Sequence, residues 1–182
     1  MWIYIIIGAI VLVLIYGVIT YNKLVGMKNR VEEAFSTMDV YLKKRWDLIP
    51  NIVETIKSYT KHEKDTLKEI TELRNSSYDT MSTNDKIDAN NKLTQGLTKL
   101  MALAESYPDL KASDNYKDLS TQLTKVEEDI ANARKYYNGT VRNINDKIEM
   151  FPSNIIASIL GFKSFKMFEA NDTERENVKI EL

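Results

Sequence analysis

The sequence predicts an all-α protein, an N-terminal transmembrane helix followed by an antiparallel up-and-down helical bundle of about four long helices. Three observations predict it. No charged side chain occurs from Met1 to Tyr21. Beyond that run, apolar residues recur at steps of three and four, the period of one helix face. The 182 residues also hold only six glycines and three prolines among many Lys, Glu, Leu and Ile, a composition that favours long helices over a sheet.

The first element is the run MWIYIIIGAIVLVLIYGVITY. About twenty residues rising 1.5 Å each cover the roughly 30 Å hydrocarbon core of a bilayer. Trp2 and Tyr4 at one end, with Tyr16 and Tyr21 at the other, match interfacial aromatics. A cleaved signal peptide would want a positive leading region, a shorter apolar run and a small-x-small cleavage site. None is evident, so residues 1–21 are expected to remain as an anchor. The cations lie on its C-terminal side, at Lys23, Lys28 and Arg30 and again at Lys43, Lys44 and Arg45. The positive-inside bias then puts the N-terminus outside and the body in the cytoplasm, as a single-pass membrane protein.

The body, residues 22–151, reads as coiled-coil-like helices. One stripe is Leu24, Met27, Val31, Ala34, Met38 and Leu42. A second is Ile49, Ile52, Ile56 and Tyr59, then polar Glu63 and Thr66, then Ile70 and Leu73. The polar stretch Asn75–Lys86 reads as a linker. Leu93, Leu97, Leu100, Ala104 and Tyr107 form a third stripe that Pro108 stops, and Ser113 or Asp114 is placed to cap the next helix. That helix carries its rhythm from Tyr116 to Phe151, until Pro152. Apolar stripes of this kind are stable only when packed, so the segments must pair with one another or with partner subunits.

Pro50 poses the topological question. The stripe stays in phase from Met38 to Ile52, which suits one continuous, kinked helix. Element lengths favour the other reading, because a rod over residues 22–77 would outrun a following helix of about 35 Å. A reversal near Trp46–Pro50 is therefore preferred, with Asp47 as cap and Pro50 in a first turn, where its missing N–H costs little.

Residues 152–168 form a short apolar run with Lys163 and Lys166, too short and too charged to span a bilayer. It either docks on the bundle or lies in the interface, with Phe162, Phe165 and Phe168 dipping into lipid. Residues 169–182, with five acids and two bases, are expected to be a mobile acidic tail.

Chemistry is sparse. Charged residues make up 28% of the chain and nearly balance, for a net charge of −1, so no global basic field for nucleic acid exists. With no cysteine, disulfides, thiolate metal sites, a cysteine nucleophile and a lipidated cysteine are all excluded. The single histidine, His62, has no second imidazole to share a metal and reads as a solvated helix residue. No nucleophile elbow, phosphate loop or dinucleotide fingerprint appears. Catalytic, cofactor-binding and metal residues are accordingly expected to be none, and no cofactor is implied. Glu63 and Thr66 fall on an apolar seam and read as a polar layer fixing helix register, or alternatively as groups that bind a ligand or ion inside the bundle. Lys43-Lys44-Arg45 reads as a solvated helix end rather than an anion site. Asn138-Gly139-Thr140 matches a glycosylation sequon but sits inside a helical stripe. Tyr21-Asn22 and Tyr137-Asn138 echo one another and are expected to meet near the membrane end.

The residues together resemble a known family. The apolar span with Tyr21-Asn22-x-Leu24-Val25, the run VEEAFSTMDVYLKKRWDLIPNIVETIKSYTKHE (31–63), ESYPDLKA (105–112), ARKYYNGTV (133–141) and FPSNIIASILGF (151–162) are similar to the LemA family of bacterial membrane proteins. The likeness covers nearly the whole chain in order. Phe35, Tyr41 and Ile144 depart from it, standing where tryptophan, glutamine and an aromatic are usual. The resemblance implies a membrane-anchored antiparallel four-helix bundle with no established enzymatic activity. Members related to magnetosome formation imply a link to membrane organisation, and other members carry lipoprotein-type signals and face outward. The expected role is a non-enzymatic scaffold. Its partners would be the bilayer through residues 1–21, and other proteins or a second copy, but not nucleic acid. The alternative is a ligand- or ion-binding sensor.

Overall fold

The apolar run and both stripes that follow it form one helix, α1, from Trp2 to Tyr59, 58 residues with Pro50 inside it. A computed structural model describes residues 1–60, 64–73 and 78–168, the side chains of 64–66, 69 and 73 excepted. His62, Glu63, the Thr66 side chain and the tail 169–182 lie outside the described residues. After α1 come α2 (Lys64–Leu73), a 3₁₀ turn (Tyr78–Thr80), α3 (Thr83–Glu105), α4 (Pro108–Ala112), α5 (Asp114–Glu149) and α6 (Ser153–Ile159). There is no strand among the described residues, so the all-α expectation holds.

The reversal expected at Trp46–Pro50 does not occur. Arg45, Trp46 and Ile49 before the proline, and Ile52 and Ile56 after it, are all buried. Each large apolar side chain contributes about 1.5–3 kcal/mol on burial. Together they outweigh the roughly 3 kcal/mol cost of a proline inside a helix. Cover for the stripe is not confined to the next helix in the chain. Just before the proline, Arg45 bonds Asn90 and Thr94 of α3 and Glu127 of α5, so cover for this part of α1 comes from two later helices.

Capping explains the shorter elements. Ser82 Oγ accepts from the Asp85 amide at 3.3 Å and starts α3. The stretch expected as a linker therefore contains the start of a helix, and also the buried Tyr78. Ser113 caps α5 by accepting from the Tyr116 amide at 3.3 Å. Pro108 sits in the first turn of α4, so it opens a helix as well as closing one.

The described residues divide into two compact units, Met1–Thr37 with Ala133–Met167, and those of Met38–Asn132 with Phe168. In the first, Leu24, Val31 and Ala34 of α1 are buried, as are Tyr137, Val141 and Ile144 of α5 and Ala157 of α6. The two long helices run antiparallel there. Phe35 meets Tyr137 edge-on at 5.8 Å, and nearer the start of α1 Tyr21 meets Phe162 at 6.4 Å. Tyr21 and Tyr137 thus have different partners, about 21 Å apart along α1, and do not pair with each other. The large apolar residues from Met1 to Ile19 are exposed. Among the described residues α1 is the one helix long and apolar enough to cross a membrane.

In the second unit the buried stripe of α1, Met38 to Ile56, is accompanied by Ile70 of α2, Leu93, Leu97, Leu100 and Ala104 of α3, and Leu123, Val126 and Ile130 of α5. Tyr116 Oη lies 3.7 Å from Met101 Sδ, while Glu127 and Thr94 share one partner further along. α3 and α5 are therefore antiparallel neighbours joined through α4.

Candidate functional site

The second unit carries a polar layer where the heptad spacing wants apolar side chains. Its buried α1 positions run Met38, Leu42, Arg45, Trp46, Ile49, Ile52 and Ile56. Arg45 supplies the seam position between Leu42 and Ile49, and its side chain is 2% exposed. Nη1 donates to both oxygens of Glu127, at 2.8 and 2.9 Å, and to Thr94 Oγ1 at 3.0 Å. Nη2 donates to the Asn90 carbonyl at 3.1 Å and to Asn90 Oδ1. Asn90 Nδ2 in turn donates to the Lys86 carbonyl, and Thr94 Oγ1 to the Asn90 carbonyl, each at 3.0 Å. One guanidinium thus ties α1 to α3 and α5, using the fixed fork that lysine lacks. Its Nε is buried with no hydrogen-bond partner.

A second set of contacts adjoins it. Asp39 accepts from Tyr78 Oη and from Lys86 Nζ, each at 2.6 Å. The Tyr78 ring lies 5.3 Å from Trp46, with Lys86 Nζ 4.7 Å from its centroid. Burial first, and then the bond to the Asp39 carboxylate, hold the Tyr78 phenol far above its usual range. Tyr78 is a neutral donor in this setting, which is the opposite of what a general base or nucleophile requires. Two cations and two carboxylates balance across the two sets. What the arrangement does chemically is cross-link α1, α3, α5 and the 3₁₀ turn at one register.

Two sequence expectations meet this site. Lys43-Lys44-Arg45 is not a solvated helix end, because the helix does not end there. Lys43 bonds Asp47 one turn on, at 2.9 and 3.1 Å, Lys44 is exposed, and Arg45 points inward. A register-fixing polar layer exists, but on Arg45 and Asn90; the Glu63 layer lies outside the described residues. The signal was in the spacing. Arg45 falls three residues after Leu42 and four before Ile49, and Asn90 three before Leu93. Among the described residues no group of three or more His, Asp or Glu is arranged to hold a metal.

The first unit holds a smaller constellation. Asn145 donates Nδ2 to the Phe165 carbonyl at 3.0 Å and accepts from the Phe165 amide at 2.8 Å. Tyr137 Oη donates to the Lys166 carbonyl at 2.9 Å. These side chains hold the segment after α6 against α5. Burial pushes the Tyr137 phenol up to about 12. Of the three phenylalanines expected in lipid, Phe168 is buried and Phe162 and Phe165 are half-buried.

The profile of the LemA family matches residues 34–182. The chain belongs to the LemA family. Protein LemA of Metamycoplasma hominis is 28% identical over 159 residues, 86% of this chain and 72% of that relative. Magnetosome protein MamQ 2 of Paramagnetospirillum magneticum is 39% identical over 80 residues, 42% of this chain and 29% of its own length. Magnetosome protein MamQ of Magnetospirillum gryphiswaldense is 36% identical over a stretch of the same size. The stretches that carry the LemA resemblance have physical jobs in this fold. Residues 31–63 bring Asp39, Arg45 and Trp46 to the polar layer, 105–112 turn the chain into α4, and 133–141 and 151–162 supply Tyr137 and α6.

Proposed function

We propose that this LemA-family protein is a membrane-anchored, non-enzymatic scaffold. Residues 1–21 sit in the bilayer, and the helical body offers a fixed surface to other membrane proteins or to a second copy. The observation that carries the reading is the character of α1: large apolar residues exposed from Met1 to Ile19, then a buried stripe in the same unbroken helix. A helix exposing that much apolar surface needs lipid or a partner around it. Within the second unit, the contacts of Arg45 and Asp39 support a surface held at one register. Membrane organisation is the class of role we propose for it, two relatives being named as magnetosome proteins. The cations Lys23, Lys28 and Arg30 after the span support an outside N-terminus and a cytoplasmic body.

The test is photo-crosslinking in cells from Val40, Tyr59 and Tyr136, large side chains exposed on the body. A scaffold yields adducts of defined mass that differ between positions. If none of the three positions gives an adduct, the scaffold reading fails. If an alkaline wash strips the chain from membranes, the anchor fails.

A further inference from the structure

α6 inverts the usual distribution of side chains. It buries Ser153, at 1% exposure, and Ala157, at 0%, and turns two of its three isoleucines outward, Ile155 at 50% and Ile159 at 75%. The corner that leads into it and the residue that ends it do the same, with Met150, Phe151 and Leu160 exposed. No charged side chain occurs from Met150 to Phe162. A water-facing helix surface is normally polar, so an apolar, uncharged one beside a built core marks a site of contact.

The position of this corner identifies what it contacts. A β-carbon at Gly17 would lie 3.8 Å from Ile156 Cδ1, and Tyr21 meets Phe162 edge-on. α6 therefore stands beside residues 17–21, the last turn of the apolar run of α1. Exposed Lys163 and Lys166 follow at once in the chain, and Lys23 follows on α1. Apolar side chains level with the end of a membrane span, bounded by lysines, have the chemistry of the boundary between acyl chains and head groups.

We propose that the α5–α6 corner is a second membrane-embedded element, with Phe151, Ile155, Ile159 and Leu160 in the leaflet nearest the body. The protein then holds the bilayer at two places, and the second one fixes the rotation of the first unit about the anchor. Phe162 and Phe165 serve instead to tie this corner to α1 and α5. The inference rests on residues 1–21 being in lipid.

The chain has no cysteine, so single fluorescent labels can be placed in the full-length protein in phosphatidylcholine vesicles. Labels at Phe151→Cys, Ile155→Cys and Ile159→Cys are compared with Leu12→Cys in the anchor and Glu128→Cys on the exposed body. Lipids carrying a nitroxide just below the head group should quench all three corner labels as strongly as a label at Ile19→Cys, and leave Glu128→Cys unchanged. Quenching of Leu12→Cys without quenching of the corner overturns the inference and leaves the anchor standing. Corner labels shielded from both lipid nitroxide and aqueous iodide show protein cover, a second copy, and also overturn it. If Leu12→Cys is not quenched even by a nitroxide near the acyl-chain ends, the anchor reading fails and takes this one with it.

Discussion

Arg45 and Glu127 are unequal partners, since the arginine side chain is 2% exposed and the glutamate 37%. Loss of the carboxylate strands a buried cation, whereas loss of the cation leaves an acid that water can still reach. A buried pair broken on one side costs about 3–5 kcal/mol; the exposure of Glu127 lowers that to about 2 for Glu127→Gln. Arg45→Leu leaves Asn90 Oδ1 without its donor and should cost about 1–3 kcal/mol. The pair replaced together, Arg45→Leu with Glu127→Leu, is expected to lose less than the sum of the single changes. Urea midpoints of the full chain in detergent, followed by circular dichroism, measure this, and strict additivity would rule out the coupling. Tyr137 makes a prediction in pH. Its folded phenol titrates at about 12 against an ordinary 10.0 because it is buried. A raised folded value means that the native state keeps its proton longer. The contribution is therefore full below 10 and is lost as the pH climbs to 12, on the order of 3 kcal/mol at about 1.4 kcal/mol per unit. Tyr78, shifted the same way, extends the loss to higher pH. Tyr137→Phe should lose about 1 kcal/mol at neutral pH with the bond to Lys166, and flatten the alkaline slope. An unchanged slope in a pH series of urea midpoints would exclude Tyr137 as its source.

Pro50 tests the continuity of α1. Inside a helix a proline withholds the donor that the carbonyl four residues earlier, Trp46, would otherwise find. Pro50→Ala should therefore stabilise the protein by about 1–3 kcal/mol and raise its midpoint. At the first turn of a separate helix the same change would be neutral or destabilising, so the sign decides between the two topologies. The stripes, the long α5 and the Ser113 cap were legible because they depend on periodicity and local hydrogen bonding, which the sequence writes out directly. The continuity of α1 was less legible, since it depends on how much burial on both sides of Pro50 outweighs a local penalty. The candidate site was half legible. Arg45 and Asn90 stand at seam spacing, but a seam arginine announces itself only when its partners are known. Glu127 is 82 residues away, and no local pattern links it to Arg45.

At the scale of the whole molecule, one helix carries both the exposed apolar run and the start of the buried stripe. Length and composition made that run legible, whereas the outward-facing corner at α6 was not, because which face of a short apolar segment packs is a tertiary fact. The orientation proposed from charge is open to direct measurement. Lys23, Lys28 and Arg30 follow the span and precede any acidic residue. Cations close to a span resist translocation, while acids contribute little, so the side that holds these three should stay in the cytoplasm. With no native cysteine to confuse the signal, Trp2→Cys and Glu128→Cys report the two sides. A membrane-impermeant maleimide should label Trp2→Cys in intact cells and reach Glu128→Cys only after permeabilisation. Changing Lys23, Lys28 and Arg30 together to Gln removes the bias, and Glu128→Cys should then become labelled in a fraction of intact cells. Labelling of Glu128→Cys in intact cells with all three cations present would put the body outside and reverse the proposed topology.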